Sequence, residues 1–271
     1  MVEIFAHAGL SLGYAGTGSG PDVLFQHGLG GDAAQVAETF PPHAPVRRLT
    51  LECRAHAQSD AGPFGDLSIA TFAADALALA GAKGARRFVA GGISMGAAIA
   101  LRLAVRHPSR VRALILVRPA WLFEAAPDNM RPFAEVADLL RELPPAEALA
   151  RFDAGATAQH LRAVAPDNLA SLRGFFTRPN PSVTAALLSR IAADGPGVTE
   201  AQAELIAVPA LIIGNAMDAV HPEAYAERLA AVLPRATLTS VTPKALDRAA
   251  YTQQVHDDIV NFLAAIDREP S

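Results

Sequence analysis

Basic charge, cysteine and long apolar runs are what this sequence has least of. Lysine and arginine number 23 against 27 aspartates and glutamates, a net charge of -4. No basic stripe or block occurs, so the chain has no electrostatic footprint for nucleic acid or an anionic membrane. The single cysteine, Cys53, excludes an internal disulfide. Histidines 7, 27, 43, 56, 107, 160, 221 and 256 show neither H-x-H nor H-x-x-x-H spacing, so no metal is expected. No apolar run approaches the roughly 20 residues needed to span a bilayer, and no basic segment followed by an apolar stretch opens the chain. The expectation is a cytoplasmic protein that stays off membranes and acts on a small molecule. Its alanine-rich helices allow a homo-oligomer without requiring one.

What is present is enough chain, 271 residues, to bury a large α/β core without staples. Short apolar runs alternate with Ala/Leu-rich stretches, the pattern of strands joined by crossover helices. Eight strands are expected: Val2 to Ala6 and Leu10 to Tyr14 as a hairpin, then Val23 to Gln26, Arg48 to Leu51, Phe88 to Ala90, Ala113 to Val117, Ala210 to Ile213 and Ala236 to Val241. Helical patterns cover Ile69 to Leu79, Ala97 to Arg106, Ala224 to Val232 and Tyr251 to Ile266. The sixth and seventh strands stand about 90 residues apart, more than a crossover needs. Proline-punctuated helical patterns fill that interval, which predicts a helical cap over 121–204 on a core made of 1–120 and 205–271. The terminal Glu-Pro-Ser reads as a frayed tail.

The strongest local signal is Gly92-Ile-Ser94-Met-Gly96, preceded by an apolar strand and followed by a helical pattern. In that context G-x-S-x-G is a nucleophile elbow: the glycines permit a strained strand-to-helix turn that lifts a serine hydroxyl over a helix N-terminus. A second strand ends in Gln26-His-Gly-Leu-Gly-Gly31. It does not form G-x-G-x-x-G opening a helix, so no nucleotide cofactor is expected.

With these two motifs the sequence resembles the α/β-hydrolase family, and the resemblance runs along almost the whole chain. It implies an α/β fold with a mostly parallel eight-stranded sheet flanked by helices and a cap after the sixth strand. It implies an oxyanion hole from the backbone N–H groups of Leu29 and Met95, with His27 bracing the loop or touching substrate. Leu49-Thr-Leu-Glu-Cys-Arg-Ala-His-Ala-Gln-Ser-Asp60 is similar to the family's D-x-R-G-H-G-x-S segment, with Glu52 for Asp and Ala55 and Ala57 where glycines are usual; these departures should alter the turn. Val208 to Pro222 is similar to the strand and loop that carry the family's acid, which places that role on Asp218.

The family's histidine follows the last strand. Here that stretch reads Val241-Thr-Pro-Lys-Ala-Leu-Asp-Arg248, with Asp247 at or beside the position. A serine hydroxyl is a weak nucleophile until a base takes its proton, so four solutions stand open. His221 on the acid loop, or a cap residue such as His160, serves as base; Lys244 serves in a Ser-Lys arrangement; Asp218 and Asp247 form a carboxylate pair with one raised pKa; or catalysis is lost. His256 falls within the final helical pattern. Arg118, at the carboxyl end of the sixth strand, either clamps a substrate carboxylate, with Arg54 joining it, or is held by Glu124 or another acid; Trp121 would form an apolar wall. The leading expectation is a hydrolase of a small, carboxylate-bearing ester or lactone working through Ser94. The others are a lyase or isomerase using Asp218 and Asp247, and a small-molecule-binding protein without catalysis.

Overall fold

The computed structural model describes residues 1–268; residues 269–271, the expected frayed tail, lie outside the described residues. Eight strands form one sheet: β1 (Glu3–His7), β2 (Leu10–Thr17), β3 (Asp22–Gln26), β4 (Arg47–Leu51), β5 (Phe88–Ile93), β6 (Val111–Val117), β7 (Ala210–Gly214) and β8 (Ala236–Ser240). Their order is β1-β2-β4-β3-β5-β6-β7-β8. β1 and β2 form the expected antiparallel hairpin, β2 pairs antiparallel with β4, and every later pairing is parallel.

The central strands are apolar on both faces, as a sheet covered on both sides requires, and strand periodicity of two divides their side chains. Val23, Phe25, Val89, Ile115, Val117, Leu211 and Ile213 pack with α1 (Ala33–Thr39) and α11 (Arg248–Ile266). Leu24, Ala90, Leu114, Leu116 and Ile212 pack with α2 (Ile69–Ala82), α3 (Met95–Arg106) and α10 (Glu223–Val232).

Between β6 and β7 lie α4 (Arg131–Glu142), α5 (Pro145–Ala154), α6 (Ala156–Val164), α7 (Pro166–Gly174), α8 (Pro181–Ala192) and the short α9 (Glu200–Ala203). Proline stands in the first turn of α4, α5, α7 and α8, where its missing N–H costs nothing and its fixed φ suits a helix start. α4 buries Phe133, Val136, Ala137 and Leu140, the i, i+3, i+4, i+7 stripe of a helix lying on a core. That stripe joins the apolar cluster on the α2/α3 side of the sheet. Trp121 belongs to this cluster and is almost fully buried, its indole N–H donating to the Asp194 carbonyl at 2.9 Å. It fastens the inserted segment to the sheet rather than walling a ligand site. The carboxyl ends of β3, β5, β6 and β7 open beneath the insertion, and the chemistry-bearing side chains gather there.

Candidate active site

Ser94 stands between β5 and α3 with φ 55° and ψ -110°. This left-handed backbone is costly for a residue with a Cβ. Its N–H donates to the Val117 carbonyl at 2.9 Å, which fastens the turn to β6. The flanking glycines are needed for space: a Cβ on Gly96 would come within 2.2 Å of the Gln26 carbonyl oxygen, and one on Gly92 within 2.6 Å of it. Backbone therefore touches backbone on either side of the serine. Ser94 is 8 % exposed and opens on a cavity of about 320 Å³.

The loop Gly28 to Gly31 lines this cavity beside Ser94, where a Cβ on Gly28 would fall 3.4 Å from the serine Cβ. Two buried histidines hold it. His27 places Nδ1 2.8 Å from the Gly28 carbonyl, while its Nε2 accepts from the Cys53 N–H at 2.9 Å. His56 places Nδ1 2.9 Å from the Arg54 carbonyl, and its Nε2 accepts from the Gly30 N–H at 3.0 Å. Each pairing assigns the proton to Nδ1. Burial lowers the His27 pKa to about 4 and holds His56 well below the usual range. His27 is thus a neutral, fully enclosed brace and is not part of the cavity wall, which corrects its reading as a substrate-binding residue. The Gly28 N–H is taken by the Gln35 side chain at 2.8 Å. Among the described residues, the N–H groups of Leu29 and Met95 have no protein acceptor.

Ala55 and Ala57 adopt φ 63° and 44°, the left-handed conformation that glycine would take there. The longer Glu52 side chain is accommodated because Gly13 has none; a Cβ on Gly13 would lie 2.4 Å from its carboxylate.

Asp218, in the loop after β7, has a buried carboxylate that accepts from several groups. Arg118 Nε donates to Oδ2 at 2.7 Å, the His221 N–H donates to Oδ1 at 3.0 Å, and His221 Nδ1 stands 2.8 Å from Oδ1. Burial alone would raise its pKa, but the interaction with His221, the Arg118 charge and hydrogen bonds from His221 and Asn168 hold it well below the usual carboxylate range. An ionised carboxylate only accepts, so His221 carries its proton on Nδ1 and keeps a lone pair on Nε2. Burial lowers the His221 pKa; Asp218 opposes the shift and Arg118 reinforces it. The product is a neutral imidazole lining the same cavity as Ser94.

Arg118 itself adopts φ 49° at the end of β6. Burial would lower its pKa, yet Asp218 and Tyr251 raise it on balance. Its partner is Asp218, not Glu124, so its charge is spent on the acid loop. Arg54 does not join it, being engaged by Asp75 at 2.7 and 3.0 Å. Asp247 caps α11, accepting from the Ala250 N–H at 2.9 Å, and is exposed. It makes no pair with Asp218, whose pKa falls instead of rising, so the carboxylate-pair expectation is corrected. Lys244 lies 3.9 Å from Glu38, His256 bonds the Glu38 carbonyl at 2.9 Å and His160 is exposed on α6; none of them lines the cavity.

The insertion contributes wall residues that sequence reasoning missed: Phe133, Asn168, Ser171, Phe175 and Arg178. Phe133 and Phe175 form the apolar wall assigned to Trp121, their rings meeting edge to face at 5.8 Å. Helical periodicity marked all of these positions but Arg178, which falls between two patterns, and it does not say which residues face a ligand.

Residues 21–246 match the family model described as alpha/beta hydrolase fold. The protein named "Putative carbamate hydrolase RutD" from Klebsiella pneumoniae (strain 342) is 29% identical over 221 residues, 79% of this chain and 80% of that protein. The enol-lactonase from Burkholderia xenovorans LB400 superposes with a TM-score of 0.70 at 26% identity, over 95% of this chain and 99% of that one. An esterase from Thermogutta terrifontis gives a TM-score of 0.74 at 20% identity, over 98% and 97%.

Proposed function

Because this chain belongs to the α/β-hydrolase fold family, we propose that it hydrolyses a small carboxylic ester or lactone through Ser94, with His221 as the base and Asp218 as its supporting acid. The observation that carries this reading is that Ser94 and a neutral, Asp218-bound His221 line one cavity. The relatives support it at the level of bond type, since the names carbamate hydrolase, enol-lactonase and esterase all denote attack on an acyl carbon.

In the first step Ser94 Oγ forms a bond to the carbonyl carbon, its proton passes to His221 Nε2, and the carbonyl electron pair moves onto oxygen. The N–H groups of Leu29 and Met95, free of protein acceptors, stabilise that oxyanion. Asp218 orients the imidazole and stabilises the imidazolium without itself taking the proton. Collapse of the intermediate breaks the bond to the leaving oxygen, which takes the proton from Nε2. Water then repeats the sequence on the acyl-enzyme. The base reaches serine from the acid loop, three residues beyond the acid, instead of from the loop after β8. The lyase reading built on Asp218 and Asp247 has no support once Asp247 is a helix cap.

Labelling by a fluorophosphonate, followed by intact mass, tests the assignment. The wild type is expected to gain one phosphonyl group, Ser94→Ala none, and His221→Ala to react about 100-fold more slowly or worse. Labelling of His221→Ala at the wild-type rate removes His221 from the mechanism; a wild type inert over hours removes the serine and leaves a binding protein.

A further inference from the structure

Two arginines line the cavity, and they differ in how their charge is met. Arg118 is neutralised by Asp218. Arg178, in the turn before α8, has no salt-bridge partner among the described residues. Its Nη2 donates to the Ala55 carbonyl at 3.2 Å, its guanidinium lies over the Phe175 ring at 5.8 Å, and its Nη1 is buried without a hydrogen-bond partner. Nη1 packs 3.5 Å from the point a Cβ on Gly30 would occupy, beside the loop that carries the Leu29 N–H. Burial lowers the Arg178 pKa; the nearest compensating charge, Asp32, acts at a distance while its carboxylate caps α1. A guanidinium stays charged under such a shift, and a half-buried cation without a counter-ion is left with part of its desolvation uncompensated.

We propose that Arg178 binds a carboxylate on the substrate, so that the preferred compound is a monoester or lactone of a dicarboxylic acid. The inference rests on the hydrolytic reading of Ser94 for the position of the scissile carbonyl, but not for the anion site itself. Charge balance selects the ligand class. Arg118 and Asp218 cancel, His221 is neutral, and no lysine lines the cavity, leaving one positive charge for one singly charged anion. A phosphate dianion would ask for more donors than a single guanidinium gives. The apolar wall of Phe133 and Phe175 fits the short methylene chain between carboxylate and ester. Rotation of the terminal bonds of Arg178 turns Nη1, now without an acceptor, toward the anion, and planar two-point pairing with a carboxylate is what guanidinium geometry favours.

Two measurements test this. In the first, p-nitrophenyl hemisuccinate is compared with its methyl ester. Wild type is expected to favour the free acid by tenfold or more in kcat/KM, Arg178→Gln to lose most of that preference, and Arg178→Lys to fall between them. A ratio unchanged in Arg178→Gln, or a wild type that prefers the neutral diester, overturns the proposal. In the second, glutarate binding is measured by calorimetry on Ser94→Ala and on Ser94→Ala/Arg178→Gln, with inorganic phosphate as comparison. Loss of glutarate affinity by tenfold or more in the double variant supports the anion site even if fluorophosphonate labelling has failed. Equal glutarate affinity, or phosphate binding as tight as glutarate, refutes it. Should Arg178→Gln fail to fold, Arg178→Lys is read in both assays, and wild-type values there count against the proposal.

Discussion

His221 has to be neutral to accept a proton, and its surroundings provide for that in opposing ways. Burial and the Arg118 guanidinium disfavour the imidazolium, while Asp218 favours it, and the balance falls below the ordinary histidine value. The sign is testable. A base with a lowered pKa stays deprotonated further into acid, so the acid limb of fluorophosphonate labelling should fall below pH 6.5. Arg118→Gln removes the neighbouring positive charge, and the limb should then move to higher pH while the plateau rate drops, as Asp218 is less firmly held. A limb unmoved by the substitution would mean that the arginine does not act on the histidine. The same close dependence on neighbours appears at Ala55 and Ala57, whose positive φ values are tolerated because the turn is held by the bond between the Ala55 N–H and the Asp60 carbonyl at 3.2 Å.

Among the elements, α7 is the one that joins the insertion to the chemistry. Asn168, in its first turn, is buried; its side-chain oxygen accepts from the Val220 N–H at 2.9 Å, and its amide hydrogen-bonds Asp218. One side chain thereby fixes both the acid and the backbone next to His221. Asn168→Ala leaves a buried N–H without an acceptor, a loss expected to cost about 1–3 kcal/mol, read as a lower urea midpoint. It should also slow labelling of Ser94, because the Asp218 loop loses the hydrogen bonds that tie it to α7. Normal labelling in a destabilised variant would show that Asn168 serves the fold alone.

Over the whole molecule, the inserted helices share one apolar cluster with the α2/α3 side of the sheet, so sheet and insertion are expected to unfold together. Trp121, the only tryptophan, sits where they join, and its fluorescence should change at the same urea concentration as the far-ultraviolet circular dichroism. Acid should weaken the whole. His27 has a folded pKa of about 4 against roughly 6.5 unfolded. The unfolded chain therefore binds the proton first, and the stability present above pH 6.5 is lost as pH falls toward 4. That difference amounts to about 3 kcal/mol for His27, and His56 acts in the same direction. A urea midpoint flat between pH 7 and 4.5 would contradict the neutral, enclosed histidines described above.

The sequence by itself determined the sheet, the elbow at Ser94, the glycine loop and the position of Asp218. The sheet and the elbow depend on local rules, strand periodicity and glycines flanking a tight strand-to-helix turn, while the role of the glycine loop and the position of Asp218 followed from the resemblance of their segments to the family. It also held His221 among the open choices for a base, since chain order left few histidines beyond Asp218. Tertiary structure decided what such rules do not reach. Asp247 became a helix cap because the chain turns into α11 at that residue, and Arg118 was taken by an acid 100 positions away. Trp121 went into the core, and Arg178 came to the cavity with its charge unmatched. Pairing and burial are set by which distant segments share a volume, and no spacing along one chain encodes that directly.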